Sequence, residues 1–395
     1  MEGIEIAYCN VCLFALFGAN EELKQTTSTE ALRKVPYGKK GEQSDTLGLD
    51  AIPEIIITGR LNDFDSHAIL ITEELDDQAH RRWPTDSNPT KQPLMFFSDP
   101  TDRSKQLREF IEKIKTTDPA TTVGELMNVC SPVDVWENQT WDRDESPASI
   151  TGATTSISCI RKGEVVFTVI LNYITSMVYI AVDVGVYEYD LAKLVGVGAN
   201  NLTLAEVIKN GRKVCFPSVR EQGLSLHDCK RFVTFLGKEG YEENFRDSQI
   251  FVEDWQNLLH HREPPGPPRV LFLSDLQQGH TPIGFILSNG EKIGEWIPWL
   301  SFVKYAKNEN GQRALRAFEI SLKRPYTKNG MLMSTPRSHS IFCENVEDAY
   351  LDISRLRDFD VPSQFRCMLA ILPSDNERII HVMEQHQYRE VTNSF

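Results

Sequence analysis

Two carboxylates three residues apart, in Phe97-Ser98-Asp99-Pro100-Thr101-Asp102-Arg103-Ser104, are the residues of this chain best suited to chemistry. They follow a short apolar run and precede an amphipathic one, so they are expected at a strand-to-helix turn. Upstream, Ala68-Ile69-Leu70-Ile71-Thr72 ends in a second acidic pair, Glu73-Glu74. Oxygen clusters of this kind suit hard cations such as Mg²⁺, which gather several carboxylate and carbonyl ligands. Helix capping by Asp99 or Asp102 is the competing reading, because Asp caps helices well. Successive strand residues face opposite ways, which places Glu73 inside and Glu74 outside.

The elements that must position these acids are legible in outline. Residues 3–33 read as one or two helices. A further helix over 51–60 begins near Asp50 and Pro53 and ends near Gly59. Residues 67–72 and 94–98 are short apolar runs, hence buried strands. From Ser104 to Lys115, Leu107, Phe110, Ile111 and Ile114 fall at amphipathic-helix spacing. Between Ile150 and Tyr189 the runs Ile157–Ile160, Val165–Leu171 and Met177–Val186 are β-rich and separated by turn signals, which predicts antiparallel sheet. Residues 195–265 are mixed and polar. His260 to Pro268 reads as a loop in which His260 and His261 are solvated. A strand restarts at 269–274, and alternating patterns then suggest an α/β segment. Trp296 and Trp299 read as local core. Three regions follow: a metal-binding α+β domain over 1–190, an insertion or elaboration over 191–268, and a C-terminal α/β domain over 269–395.

Composition narrows the function classes. The 395 residues are 41% apolar, enough to fill a core, and carry a net charge of −14. That balance argues against a nucleic-acid binder or a membrane-surface binder. Eight scattered cysteines suggest small core residues in a reducing, cytoplasmic setting rather than a disulfide framework. Cys9 and Cys12 have no second such pair, which argues against zinc. No stretch reaches the roughly eighteen clean apolar residues of a membrane span. Ile4 to Ala19 comes closest, is interrupted by Glu5 and Asn10, and is expected to form a partly buried helix. Its amino end lacks the positive charge of a signal peptide. Asn138-Gln139-Thr140 is read as an incidental sequon.

Taken in order, the acidic segments resemble the inositol monophosphatase and fructose-1,6-bisphosphatase superfamily. Asp99-Pro-Thr-Asp102-Arg-Ser104 resembles its Asp-Pro-Ile/Leu-Asp-Gly-Thr/Ser motif. Ile71-Thr-Glu73-Glu74 resembles its Gly-Glu-Glu strand end, and Thr46-Leu-Gly-Leu-Asp50 its Thr-x-x-Asp segment with one extra residue. Lys39 stands where the family often has a lysine. Asp348-Ala-Tyr leads to Asp358 and Asp360, as the family's Asp-Ala-Tyr leads to a later Asp. The resemblance spans about residues 30–190 and 269–375. It implies a layered α-β-α-β-α sugar-phosphatase fold, with antiparallel sheet in the first half and a smaller α/β second half.

It also implies a Mg²⁺-dependent phosphomonoesterase acting on a small phosphorylated polyol, sugar or nucleotide. Two or three Mg²⁺ would be bound, with Mn²⁺ as a substitute, in a chain that pairs as a homodimer. Carried over, Glu73, Asp99 and the Thr101 carbonyl would bind one metal. Asp99, Asp102 and Asp360 would bind a second. Asp50 and the Ser104 hydroxyl would orient the attacking water, and backbone near Arg103 and Ser104 would receive the phosphate. Five such carboxylates together would repel one another without cations. Departures from the pattern carry an alternative. Arg103 replaces the glycine, and either blocks the close approach of phosphate or clamps it as a fork. Phe359 and Pro362-Ser363-Gln364 replace the usual flanks of the last Asp. A catalytically impaired member that binds a phosphorylated ligand or a protein partner fits these departures.

Overall fold

A computed structural model describes residues 1–35, 46–72, 82–83, 94–102, 104–114, 118–128, 131–132, 149–150, 152–161, 164–194, 202–215, 231–232, 266–269, 284–288, 293–321, 326–328, 331–333, 367–374, 377, 380–381, 384 and 389–390. These divide into two compact units. One holds most of the first 213 residues, and the other most of the rest.

In the first unit, α1 (Gly3–Gln25) starts with a reciprocal cap, Glu5 accepting the Glu2 N–H at 2.6 Å. Its inner residues Cys9, Cys12, Leu13 and Leu16 are fully buried. Among the described residues it is the one helix long and apolar enough to cross a membrane, and half of that stretch is buried inside the fold. The expected partly buried helix is what forms. Its thiols, with Cys159, are free and buried, and burial pushes all three well above the usual thiol range. Cys215 is free and exposed.

A short α2 (Ser28–Ala31) precedes α3 (Gly48–Phe64), which packs along α1. This helix is longer than the predicted 51–60. Gly59 does not end it: a Cβ there would meet nothing within 4 Å, so glycine is only a weak residue in an open helical turn. Gly48 is a different case. A Cβ at Gly48 would lie 2.5 Å from the Glu30 carbonyl oxygen and 3.1 Å from the Ala31 Cα, so the start of α3 touches α2 through bare backbone. Gly48→Ala should push this first turn off α2 and lower stability by about 1–3 kcal/mol, as overpacking does. A chemical-denaturation shift below about 0.5 kcal/mol would mean the contact relaxes freely.

Eight strands form one mixed sheet, in the order β10-β9-β8-β7-β6-β3-β1-β2. They are β1 (Ile69–Thr72), β2 (Arg82–Trp83), β3 (Leu94–Asp102), β6 (Thr154–Arg161), β7 (Glu164–Asn172), β8 (Met177–Val182), β9 (Gly185–Asp190) and β10 (Arg212–Lys213). A separate parallel pair, β4 (Ser131–Pro132) and β5 (Ser149–Ile150), lies between β3 and β6 in the chain. Within the sheet β1 runs parallel to β3, while β3 with β6, β7 with β8, and β8 with β9 are antiparallel. The predicted run Met177–Val186 is really two strands. It breaks at Asp183-Val184, where Gly185 takes φ 134° and lets the chain reverse.

Among its described residues the first unit also has the α-helices α4 (Ser104–Ile114), α5 (Val123–Met127) and α6 (Leu204–Asn210). In α4, Leu107, Phe110 and Ile111 are buried, as their spacing predicts.

The second unit, described by itself, contains an antiparallel sheet and one long helix. It opens with β11 (Arg231–Phe232) and β12 (Gly266–Arg269), a parallel pair. Residues 266–268 therefore belong to a strand and not to the predicted loop. The sheet has the order β13-β17-β14-β18, from β13 (Gly284–Ser288), β14 (Leu315–Ser321), β17 (Cys367–Pro373) and β18 (Arg389–Glu390). A hairpin of β15 (Tyr326–Lys328) and β16 (Met331–Met333) stands apart from it. The helix α7 (Ile293–Tyr305) packs on β13 and β14. It buries Ile297, Trp299, Leu300 and Phe302, so Trp299 is core as expected.

Candidate active site

The acid pair Asp99 and Asp102 sits at the end of a strand, and α4 begins two residues past Asp102. Both residues belong to β3, which runs four residues beyond the predicted 94–98 and ends at Asp102. Asp99 pairs with Ser156 and Asp102 with Thr154. Three steps on β3 thus answer two on β6, which is a β-bulge. The consequence is chemical. Residues three apart in a regular strand face opposite ways. Across this bulge Asp99 and Asp102 stand opposite Ser156 and Thr154, which are two apart and share one face. The bulge brings both carboxylates to that same face. Pro100 explains its location, since proline donates no ladder hydrogen bond and is tolerated at bulges. Both acids are buried, at 5% and 8% exposure.

Asp50 reaches the same region from α3. It is 6% exposed and lies in the first turn, where one carboxylate oxygen takes the Leu47 N–H at 3.4 Å. Part of its role is therefore to cap its own helix. A second proline ties this helix to the bulge. Pro53 lies inside α3 and cannot donate to the carbonyl four residues back, that of Leu49. The Thr101 hydroxyl, from the bulge, donates to that Leu49 oxygen at 2.8 Å. Asp50 and Asp102 are thereby joined through their chain neighbours. Thr101→Val is expected to cost about 1–3 kcal/mol, the typical penalty for a buried polar group left unmade. In a Pro53→Ala background the backbone N–H restored at position 53 can serve Leu49, so the same substitution should cost less than half as much. Equal losses in both backgrounds, by urea titration, would separate Thr101 from the proline.

Other buried groups at this end were not singled out from the sequence. Glu54, one turn after Asp50, has no exposed surface and accepts the Thr72 hydroxyl at 2.8 Å. Thr72 is the last residue of β1, directly before Glu73. The inner stripe of α3 therefore runs from acids at Asp50 and Glu54 to core at Ile57 and Leu61. Tyr173, just past β7, is fully buried. Burial pushes its phenol well above the usual range, the hydrogen bond with Thr155 draws it back, and the charges of Asp50 and Asp99 add smaller upward pushes. A buried proline in a helix and a tyrosine closing a β run are the sequence signals available for these ties.

Ser104 is the first residue of α4 and is half-buried. Glu73, Glu74, Arg103, Lys39, Asp348 and Asp360 lie outside the described residues, as do His260 and His261. Among the described residues, no three His, Cys, Asp or Glu side chains are grouped closely enough to hold a metal ion. The donor chemistry of Asp99, Asp102 and Asp50 is that of hard-cation ligands, and two of the three share a face; completing a shell would take acids such as Glu73 and Asp360.

Fold and site define a mixed α/β protein with a buried acidic strand end on a bulge. The chain is similar in structure to several solved proteins. One is the extragenic suppressor protein suhB from Bartonella henselae, with 16% identity, 95% of this chain and 96% of that one covered, and a TM-score of 0.45. Another is CysQ from Bacteroides thetaiotaomicron, a bacterial member of the inositol monophosphatase family, with 13% identity, coverages of 79% and 88%, and a TM-score of 0.44. Fructose-1,6-bisphosphatase from Leishmania major gives 11% identity, coverages of 88% and 94%, and a TM-score of 0.42. No protein-family model matches the sequence, and no curated protein does.

Proposed function

We propose that this chain is a metal-dependent phosphomonoesterase acting on a small phosphorylated polyol, sugar or nucleotide. The observation that supports it most is the bulge that turns the buried acids Asp99 and Asp102 to one face of β3. Glu73, Asp99 and the Thr101 carbonyl would hold one Mg²⁺, and Asp99, Asp102 and Asp360 a second, with Mn²⁺ able to replace either. Such ions supply charge neutralisation on the phosphoryl oxygens and an activated water. The chain's own residues do the rest. Asp50 orients the attacking water together with the Ser104 hydroxyl. The first N–H groups of α4 receive the phosphate at a helix start, where donors lack helical partners. The buried setting of the three acids excludes bulk water from them.

The net charge of −14 fits a small anionic substrate brought in with cations better than a nucleic acid. Residues 191–268, as an elaboration of the fold, and the stretch to about 345 are proposed to select the substrate. A homodimer in a reducing cytoplasm completes the proposal, and the buried free thiols of Cys9, Cys12 and Cys159 suit that compartment. The direct test is phosphate release from a panel of sugar, polyol and nucleotide monophosphates with Mg²⁺, with and without Li⁺. Turnover that needs Mg²⁺ supports the reading; turnover unchanged in EDTA, or none on any ester, overturns it.

A second reading, binding without catalysis, is favoured by one feature, the arginine at 103. It predicts negligible hydrolysis while a phosphorylated ligand still raises the melting temperature. Arg103→Gly should then restore Mg²⁺-dependent turnover; no gain would clear Arg103 of blocking the phosphate.

A further inference from the structure

The bulge that carries Asp99 and Asp102 is held by hydroxyl groups from outside its own strand. The Thr155 hydroxyl on β6 donates to the Pro100 carbonyl, the central peptide of the bulge. Thr155 has one hydroxyl hydrogen, and a carbonyl can only accept. The contact between the Thr155 and Tyr173 oxygens must therefore have Tyr173 as donor. The chain of hydrogen bonds runs from the Tyr173 phenol to Thr155 and on to the Pro100 oxygen. All three residues are buried, Thr155 and Tyr173 with no exposed surface. Tyr173 is itself fixed, its N–H bonding the Ala153 carbonyl at 2.9 Å. The Thr101 hydroxyl also reaches the Pro100 oxygen, at 2.7 Å, but its single hydrogen is divided between that oxygen and the Leu49 carbonyl at 2.8 Å.

We infer that Tyr173 and Thr155 are positioning residues, a buried hydroxyl strut that sets the Pro100 peptide and through it the relative placement of Asp99 and Asp102. The strut is needed because a bulge leaves an unpaired residue and a locally disrupted ladder. Proline at 100 removes one more backbone donor from the same spot. Without a donor from β6, the buried Pro100 carbonyl would compete with Leu49 for the one Thr101 hydrogen, and the peptide would be free to turn. Turning it rotates Thr101 and changes the separation of the two acids. Hydrogen bonds in such a chain polarise one another, so loss of the Tyr173 phenol weakens the Thr155 bond it feeds.

The role in metal binding rests on the phosphatase reading, but the strut itself does not, and the test separates the two. Tyr173→Phe, Thr155→Val, Thr155→Ser and the Tyr173→Phe/Thr155→Val double variant would be compared with the parent chain. Two measurements are made on each: amide hydrogen exchange across residues 98–102 in EDTA, and Mn²⁺ affinity by calorimetry. Tyr173→Phe and Thr155→Val should each speed exchange at Asp99, Thr101 and Asp102 by about tenfold, corresponding to about 1.4 kcal/mol. Exchange in the β8–β9 hairpin should stay unchanged. Each should weaken Mn²⁺ binding by a similar factor, the double variant little more than either single one, because the bonds lie in series. Thr155→Ser keeps the hydroxyl and should behave as the parent.

Exchange that rises equally throughout the sheet would overturn the strut and leave Tyr173 and Thr155 as general core residues. So would a Thr155→Ser variant as impaired as Thr155→Val. A parent chain that binds no Mn²⁺ would sink the metal reading, and the exchange data would still decide the strut.

Discussion

Asp99→Asn is expected to lower Mg²⁺-dependent phosphate release by at least about a hundredfold, roughly 2.7 kcal/mol of transition-state stabilisation. The expectation comes from position as much as residue type. Asp99 is the acid that the proposed arrangement shares between both ions, and it lies at the start of the bulge. Asparagine has nearly the same size and can keep neutral hydrogen bonds, so the fold should survive. What it removes is one buried negative charge. In EDTA that removal relieves repulsion between Asp99 and Asp102, so the variant should melt at or above the parent temperature. In saturating Mg²⁺ the order should reverse, since only the parent gains the stabilisation that tight binding confers on the folded state. Glu73→Gln should follow the same pattern. The crossing of melting temperatures matters because a merely capping Asp99 predicts the opposite: lower stability with and without metal, and unchanged turnover. Activity within a factor of about three of the parent would remove Asp99 from the reaction.

The sequence exposed the acids and not the device that aligns them. Spacing alone puts Asp99 and Asp102 on opposite faces of a regular strand, and the apolar run of the expected strand ends at residue 98. The bulge is decided by pairing with β6, some fifty residues away, and nothing in the local pattern of Phe97 to Asp102 reports a partner's register. The two prolines were visible, but their meaning was not. Pro53 read as the opening of a helix, whereas it lies inside α3 and leaves the Leu49 carbonyl to Thr101.

Elements with strong periodicity fared better. The amphipathic spacing of Leu107, Phe110 and Ile111 gave α4, and β-branched runs gave β6, β7 and β8. The same β-richness concealed the turn at Asp183-Val184, because a hairpin with only two turn residues leaves the apolar run almost unbroken. Gly59 misled in the other direction, since an exposed glycine weakens a helix without ending it. Tyr173 was the hardest to see. A tyrosine after a strand is ordinarily packing, and its value here depends on two carboxylates and a threonine brought near it by folding.

Phe96→Ala is expected to be among the most damaging single changes to the first unit, at about 3–5 kcal/mol. Phe96 has no exposed surface and lies in the centre of the sheet, paired with Leu70 on β1 and Cys159 on β6. Its ring meets Tyr8 of α1 with centroids 4.9 Å apart, and Tyr8 meets Phe64 of α3 at 5.0 Å. Phe96 thus ties α1 to the sheet directly, and α3 through Tyr8 and Phe64. Removing it leaves a cavity whose lining belongs to rigid elements that cannot all close in, so the cost should fall near the upper end. In a unit of this size the melting temperature should fall by roughly 6–20 °C. A loss below about 1 kcal/mol in chemical denaturation would show that the helices do not rest on this ring.

The consequence for chemistry should be small by comparison. Phe96 and Ser98 lie on one face of β3, and Phe97 and Asp99 on the other. Well below its melting temperature, and in saturating Mg²⁺, the folded variant should retain kcat within about threefold of the parent. Stability would then be lost without displacement of the acids. That is the outcome expected when a bulge, a proline-orphaned carbonyl and a buried hydroxyl strut, rather than the ring of Phe96, fix where Asp99 and Asp102 stand.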